Sequence, residues 1–185
     1  MTDAPRVFLR KPVPEDGDEF LAMVLRSQPL HSPWMSPPRT PGEFNEYLNQ
    51  CRTDTFEGLL ACRREDGAIV GVINLSQIFM KAFRSAYSGY FAHVDHAGRG
   101  YMTEGLRLAI DHAFGPLGLH RVEANIQPGN EASRRLVRRL GFTLEGYSPR
   151  YLFIDGAWRD HERWAITLED WPPPSNAGTA PSELG

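Results

Sequence analysis

The sequence predicts an α/β domain built on a mixed, mostly antiparallel sheet with helices packed against it. Three observations lead there. Two apolar, β-branched runs flank the turn Arg64-Glu65-Asp66-Gly67, a strand–helix–strand–helix succession runs from Tyr87 to Leu140, and strands close around Asp155-Gly156. With 185 residues, 41% of them hydrophobic, the chain suffices for one domain with its own core.

Arg6 to Lys11 gives a first strand, and Glu15 to Arg26 a helix whose Phe20, Leu21, Val24 and Leu25 recur at helical spacing. The proline-rich stretch Gln28 to Pro41, with His31, Pro33, Trp34 and Met35, is expected as a loop bearing a bulky apolar group. Trp34 suits either a mobile wall of a binding site or a plug over the core. Thr40-Pro41-Gly42-Glu43 has capping-box chemistry: threonine accepts from the amide of Glu43, the glutamate reaches back, and proline suits the first helical position. The helix it opens carries Phe44, Tyr47, Leu48 and Cys51 on one stripe and ends near Arg52.

Phe56 to Arg63 and Ala68 to Ser76 are the hairpin strands, and Tyr87 to Val94 is the next. Thr103 to Phe114 is a helix with Leu106, Ala109, Ile110 and Ala113 along one side, stopped by Gly115-Pro116-Leu117-Gly118. Arg121 to Ile126 is a strand, and Glu131 to Leu140 a short helix capped by Gly141. Thr143 to Tyr147, Arg150 to Ile154 and Arg159 to Leu168 read as three closing strands. From Pro172 to Gly185 the chain is rich in Pro, Ser, Gly and Ala and expected to be disordered, leaving 1–171 as the folded domain.

Lys and Arg total 20 against 23 Asp and Glu, so a net charge of -3 offers no global field for DNA or an anionic membrane. No apolar run approaches the roughly 20 residues that span a bilayer, and Met1-Thr2-Asp3-Ala4-Pro5 lacks a basic start followed by an apolar stretch. The expected compartment is the cytoplasm. Cys51 and Cys62, without Cys-x-x-Cys spacing, read as buried hydrophobes in a reducing environment. His93 and His96 lack the further convergent ligands a metal needs, so no metal is expected.

Between the strand ending at Val94 and the helix from Thr103 lies Ala97-Gly98-Arg99-Gly100-Tyr101-Met102. Glycines there permit positive φ and close approach, so successive amides from Gly98 to Met102, at a positive helix end, could cradle a pyrophosphate. The plain alternative is a tight turn. A dinucleotide finger, with Glu123 as its acidic partner, fails because Thr103 occupies the third glycine position and the turn follows an antiparallel hairpin mid-chain. The glycine-lysine phosphate loop, Gly-x-Ser-x-Gly and His-Glu-x-x-His are all absent.

The turn resembles the Gln/Arg-x-x-Gly-x-Gly/Ala signature of the GNAT superfamily of N-acetyltransferases, with Ala97 and Met102 departing from it. Gly118-Leu119-His120-Arg121-Val122-Glu123-Ala124-Asn125, Pro128-Gly129-Asn130-Glu131-Ala132-Ser133, Leu140-Gly141-Phe142-Thr143-Leu144-Glu145-Gly146 and Trp158-Arg159-Asp160-His161 are similar to its RimJ/RimL-type subgroup, which acetylates N-termini of ribosomal proteins. The resemblance spans roughly residues 6 to 171. It implies the GNAT fold, whose sheet splits into a V where two parallel strands, here Tyr87 to Val94 and Arg121 to Ile126, admit the pantetheine arm of acetyl-CoA. It further implies cofactor contacts from Phe91, Ala92 and Val94, from Gly98, Arg99, Gly100, Tyr101, Met102 and Thr103, and from Asn130 and Ser133. A backbone amide near Phe91 or Ala92, freed by a bulge, would face the thioester oxygen. Ser133 would protonate the departing thiolate, though Asn130 and Ser133 also suit an ordinary cap and a solvated first turn.

The subgroup's late-strand glutamate aligns with Leu152, so Glu123 is the substitute general base, with a structural ion pair the competing role. An N-terminal amine has a pKa of about 7.7 to 8.0 against about 10.4 for lysine, so absence of a strong base favours an α-amine acceptor. The implied protein is an acetyl-CoA-dependent N-acetyltransferase, monomeric or homodimeric, acting on a protein or peptide N-terminus. The alternatives are a small-molecule amine such as an antibiotic or polyamine, or a non-catalytic coenzyme-A sensor. Of Arg134, Arg135, Arg138 and Arg139, at most two should meet the coenzyme 3′-phosphate, because the rest of that helix faces solvent. His161 stays unassigned.

Overall fold

In the computed structural model, which describes residues 4–172, the elements follow in the order β1 (Val7–Arg10), α1 (Gly17–Arg26), α2 (Gln28–His31), α3 (Pro41–Gln50), β2 (Phe56–Arg63), β3 (Ile69–Phe79) and β4 (Ser85–Ala92). They continue with α4 (Tyr101–Phe114), β5 (Arg121–Ile126), α5 (Glu131–Arg139), β6 (Thr143–Ile154) and β7 (Ala157–Thr167). The tail expected to be disordered lies, from residue 173 on, outside the described residues.

Local chemistry accounts for most of these boundaries. Thr40 Oγ1 accepts from the Glu43 amide at 3.2 Å while Glu43 Oε2 accepts from the Thr40 amide at 3.0 Å, the reciprocal cap expected at α3. Asp155 and Gly156 take φ of 50° and 75°, the left-handed pair that a two-residue hairpin between β6 and β7 requires. Three expectations are corrected. The proline-rich loop begins with a turn of helix, α2, because Pro29 falls in its first turn, where amides have no helical partner to lose. The two strands expected within 143–154 are one, β6, irregular between Ser148 and Leu152; Pro149 is tolerated because β6 is the sheet edge. And β4 stops at Ala92, because the Val94 amide donates to Ser27 Oγ at 2.9 Å and Val94–His96 coil into a 3-10 turn.

The seven strands form one sheet in the order β1-β2-β3-β4-β5-β7-β6. Every pairing is antiparallel except β4 with β5. That parallel pair holds only at Ser85↔Arg121, Ala86↔Val122 and Tyr87↔Glu123; beyond it the strands part. Alternation of side chains gives each face its own core. On one face Leu106, Ala109 and Ile110 of α4 and Val137 of α5 pack with Ile73, Leu75, Val122 and Ala124. On the other, Phe20 and Val24 of α1 and Phe44 and Tyr47 of α3 pack with Leu60, Val72 and Phe91. Among the described residues no helix is long and apolar enough to cross a membrane, and no cluster of metal-ligating side chains gathers.

Two imidazoles are sealed in this frame: His31 is 4% and His161 2% exposed, and burial pushes both below the ordinary histidine pKa. The unfolded chain then binds protons that the buried rings refuse, so stability present above about pH 6.5 should be lost as pH falls below it. The carboxylates act lower: Arg63 holds Asp66 down to about 2, so its contribution is lost only as pH falls below about 4. Urea midpoints at pH 7.5, 5.5 and 3.5 should therefore fall in two stages, and identical midpoints at the two higher values would overturn the histidine contribution.

Candidate active site

The turn before α4 is built to present amides. Gly98 and Gly100 take φ of +74° and +85°, and Gly100 caps the helix. The Thr103 and Glu104 amides close onto the Gly100 carbonyl at 3.0 and 3.1 Å. Among the described residues, those of Gly98, Arg99, Gly100, Tyr101 and Met102 donate to no protein acceptor. Arg6 secures the opposite side of the turn. Its Nη2 donates to the Arg99 carbonyl at 2.9 Å, its Nε to Glu104 Oε1 at 2.7 Å, and its guanidinium lies 4.7 Å from the Tyr101 ring centroid. A row of free amides at a helix N-terminus suits a pyrophosphate, as the turn's composition suggested.

Gly98, Gly100, Tyr101 and Met102 border a cavity of about 320 Å³ between the turn, the start of α5, the end of β4 and the segment around α2. Of the residues expected at the cofactor, Phe91, Ala92, Gly98, Gly100, Tyr101, Met102, Thr103, Asn130 and Ser133 line it. Val94 and Arg99 do not: Val94 is spent on Ser27, and Arg99 contributes its carbonyl to Arg6. Met102, a bulky departure from the signature, is accommodated by β3, where a Cβ on Gly71 would stand 2.3 Å from its Sδ. Arg135 and Arg139 reach the cavity, Arg139 donating to Thr103 Oγ1 at 3.3 Å. Arg134 is bound to Glu131 and Glu162, and Arg138 lies over Trp164. Trp34 lines the same cavity and packs on Gly129 before α5.

At the inner end the sheet itself supplies donors. The His93 amide donates to the Val70 carbonyl at 2.8 Å, which makes Val72 and Phe91 the next bonded pair of the antiparallel ladder. Tyr90 and Ala92 therefore turn their backbone groups toward β5, which has already parted from β4. The expected bulge is corrected: register runs unbroken from Gly71↔Ala92 to Ser76↔Tyr87, so divergence of the strands frees the amide, and it belongs to Ala92 rather than Phe91. His31 Nε2 donates to the Ala92 carbonyl at 2.8 Å, which fixes the tautomer and the orientation of this peptide. Tyr90 Oη and Ser133 Oγ lie 2.6 Å apart, and the Ser133 amide donates to Asn130 Oδ1 at 3.2 Å. Burial pushes Tyr90 up to about 12, although its bond with Ser133 acts the other way. His31 and Tyr90 escaped the sequence reading, since nothing local marks a loop histidine or a strand tyrosine as a partner of residues far along the chain.

Glu123 does not reach the cavity, which corrects its assignment as base. Its Oε1 accepts from Arg121 Nε at 2.7 Å, and it stands opposite Tyr87 at the closed end of the split. From there β4 runs roughly 16 Å further to Ala92.

Splayed parallel strands, an amide-lined turn and a serine at the next helix define an acyl-CoA-handling fold. Residues 6–143 match the acetyltransferase (GNAT) domain family, and the chain belongs to it. RimJ of Mycobacterium smegmatis, solved in complex with CoA-disulfide, superposes with a TM-score of 0.83 at 31% identity, over 90% of this chain and 84% of that one. The ribosomal protein uS5-alanine N-acetyltransferase of Escherichia coli is 41% identical over 109 residues, 59% of this chain and 56% of that protein. The spermidine N(1)-acetyltransferase of Vibrio cholerae is 25% identical over 154 residues, 82% of this chain and 88% of that one. The match spans little more than half the length of the curated relatives at 41% identity. These similarities agree with the RimJ/RimL-type resemblance, and acetyl-CoA is the acyl donor of GNAT acetyltransferases.

Proposed function

We propose that this chain transfers the acetyl group of acetyl-CoA to the α-amine of a protein or peptide N-terminus by direct attack in a ternary complex. The observation that carries it is convergence on one cavity of three things: the free amides of the glycine turn, the Ala92 backbone at the mouth of the split, and the Tyr90–Ser133 pair. The amides of Gly98 to Met102 would hold the pyrophosphate, with Arg135 and Arg139 at its phosphates. Bound there, acetyl-CoA supplies an activated acyl group on a thiol leaving group. The Ala92 amide offers a hydrogen bond where negative charge develops on the acyl oxygen, worth roughly 3 kcal/mol for one well-placed donor. Tyr90, neutral at physiological pH, lies 2.6 Å from Ser133 Oγ and as the donor in that bond would leave the serine hydroxyl's own proton for the leaving sulfur.

With Glu123 removed as base, the acceptor's own pKa gains weight. An α-amine near pKa 8 is partly neutral at pH 7.4, whereas a lysine near 10.4 would need roughly 3 kcal/mol more help. Proximity and a water-relayed proton then suffice. The polyamine reading draws on the spermidine-acetylating relative, and the two separate in a free-thiol release assay with acetyl-CoA across N-terminal peptides, lysine peptides, polyamines and aminoglycosides. The highest kcat/KM is expected with N-terminal peptides. Preference for a polyamine would replace the acceptor, and tight cofactor binding with no release from any acceptor would favour the sensor.

A further inference from the structure

The cofactor cavity is flanked, across Phe91, by further cavities. A second cavity of about 400 Å³ shares Phe91 and Met35 with it and is walled by α3. A third, of about 780 Å³, shares Gln50 and Phe56 with the second and ends among Phe79, Phe83 and Tyr87. Through these shared residues the second and third adjoin as a trough along the α3 face of the sheet, opposite the α4 and α5 layer. Its floor is β4, whose Phe91 lines the second cavity and Tyr87 the third, with Gly89 between them on the same face by strand alternation. At Gly89 the floor is bare: a Cβ there would meet nothing within 4 Å. At the far end Phe79 and Phe83 stack edge to face, centroids 6.3 Å apart, although 59% and 53% exposed.

We propose that this trough receives the first residues of an extended protein N-terminus, with an apolar side chain docked on Phe79 and Phe83. The inference rests on the α-amine reading and adds what lies beyond the amine. The amine is placed at Phe91, next to the Ala92 backbone; on the wall of the second cavity Glu46 and the capping Glu43 of α3 outnumber Arg39, a balance that suits an incoming ammonium. From Phe91 to Tyr87 the floor runs roughly 13 Å, the span of about four extended residues, before the chain meets the aromatic pair. A polyamine could set an ammonium over one phenyl face but buries little of the two rings, whereas a peptide with an apolar residue near its fifth position covers both.

The test compares a dipeptide amide with a hexapeptide amide that shares its first two residues and carries leucine at the fifth, acetyl-CoA held saturating. The hexapeptide should have a kcat/KM at least about 10-fold higher. The double variant Phe79→Ser/Phe83→Ser, altering only exposed rings, should erase that advantage, the dipeptide rate serving as internal reference. Gly89→Leu, which fills empty space at an extended position, should raise the hexapeptide KM about 10-fold or more with the KM for acetyl-CoA unchanged. Circular dichroism and thermal melting verify that each variant folds. Equal efficiency of the two peptides, or an advantage that survives the double variant, would overturn the trough while leaving α-amine acetylation intact. Acetylation of polyamines with neither peptide modified would remove the α-amine reading and the trough with it.

Discussion

Gly100→Val is expected to weaken acetyl-CoA binding about 100-fold or more, whereas Arg99→Ala weakens it by less than about 5-fold. The asymmetry follows from which atoms face the cavity. Gly100 sits at φ +85°, where a β-branched residue is strained by about 1 to 3 kcal/mol, and its added Cβ would lie 3.1 Å from Arg6 Nη2. Relieving that strain rotates the peptides whose amides form the anion cradle and displaces the Arg6 clamp behind them. Arg99, by contrast, offers a carbonyl to Arg6 and does not line the cavity, so its side chain acts at most through distant charge. Gly98→Ala should fall between the two, because its φ of +74° is equally left-handed but its Cβ would meet open space. Isothermal titration at one ionic strength checks the order, with circular dichroism confirming the fold. Stronger loss in Arg99→Ala than in Gly100→Val would mean that side-chain charge, not backbone, grips the pyrophosphate.

Ser133→Ala should lower kcat by about 100-fold with the KM for acetyl-CoA changed by less than about 3-fold, the pattern of a lost proton donor. Tyr90→Phe should cost less, about 10-fold, because Ser133 keeps its own proton and loses only the group that orients it. The two variants differ in stability as well. Removing the Ser133 hydroxyl takes away the partner, at 2.6 Å, of the half-buried Tyr90 hydroxyl, a loss of about 1 kcal/mol. Tyr90→Phe removes that hydroxyl itself and leaves the half-buried Ser133 to solvent. Steady-state kinetics and thermal melts on both variants separate the roles. Turnover unchanged in Ser133→Ala would eliminate the acid, and a KM effect without a kcat effect would reduce Ser133 to a cofactor contact.

How much of the site was legible depended on the range of the interactions that build it. The Thr40–Glu43 cap, the Asp155-Gly156 hairpin and the glycine turn were readable because each needs only neighbours in sequence to satisfy its backbone. Asn130 at the head of α5 was readable for the same reason, its side chain closing on the Ser133 amide one turn away. The end of β4 was not, since Val94 is pulled out of the strand by Ser27 in another element. Nor was the status of Glu123: a carboxylate on the right strand looked available until register set it opposite Tyr87, beside Arg121.

By itself, then, the sequence determined where an anion-binding turn would form and which helix would follow it, because positive φ at Gly98 and Gly100 and an unpaired helix start are local properties of the chain. Only the tertiary structure decided what surrounds that turn. Arg6 reaches Arg99 across 93 residues, His31 reaches Ala92 across 61, and Tyr90 reaches Ser133 across 43. Those contacts exist because sheet order, register and the parting of β4 from β5 bring distant elements together, and none of these geometric facts is encoded in any one stretch of residues.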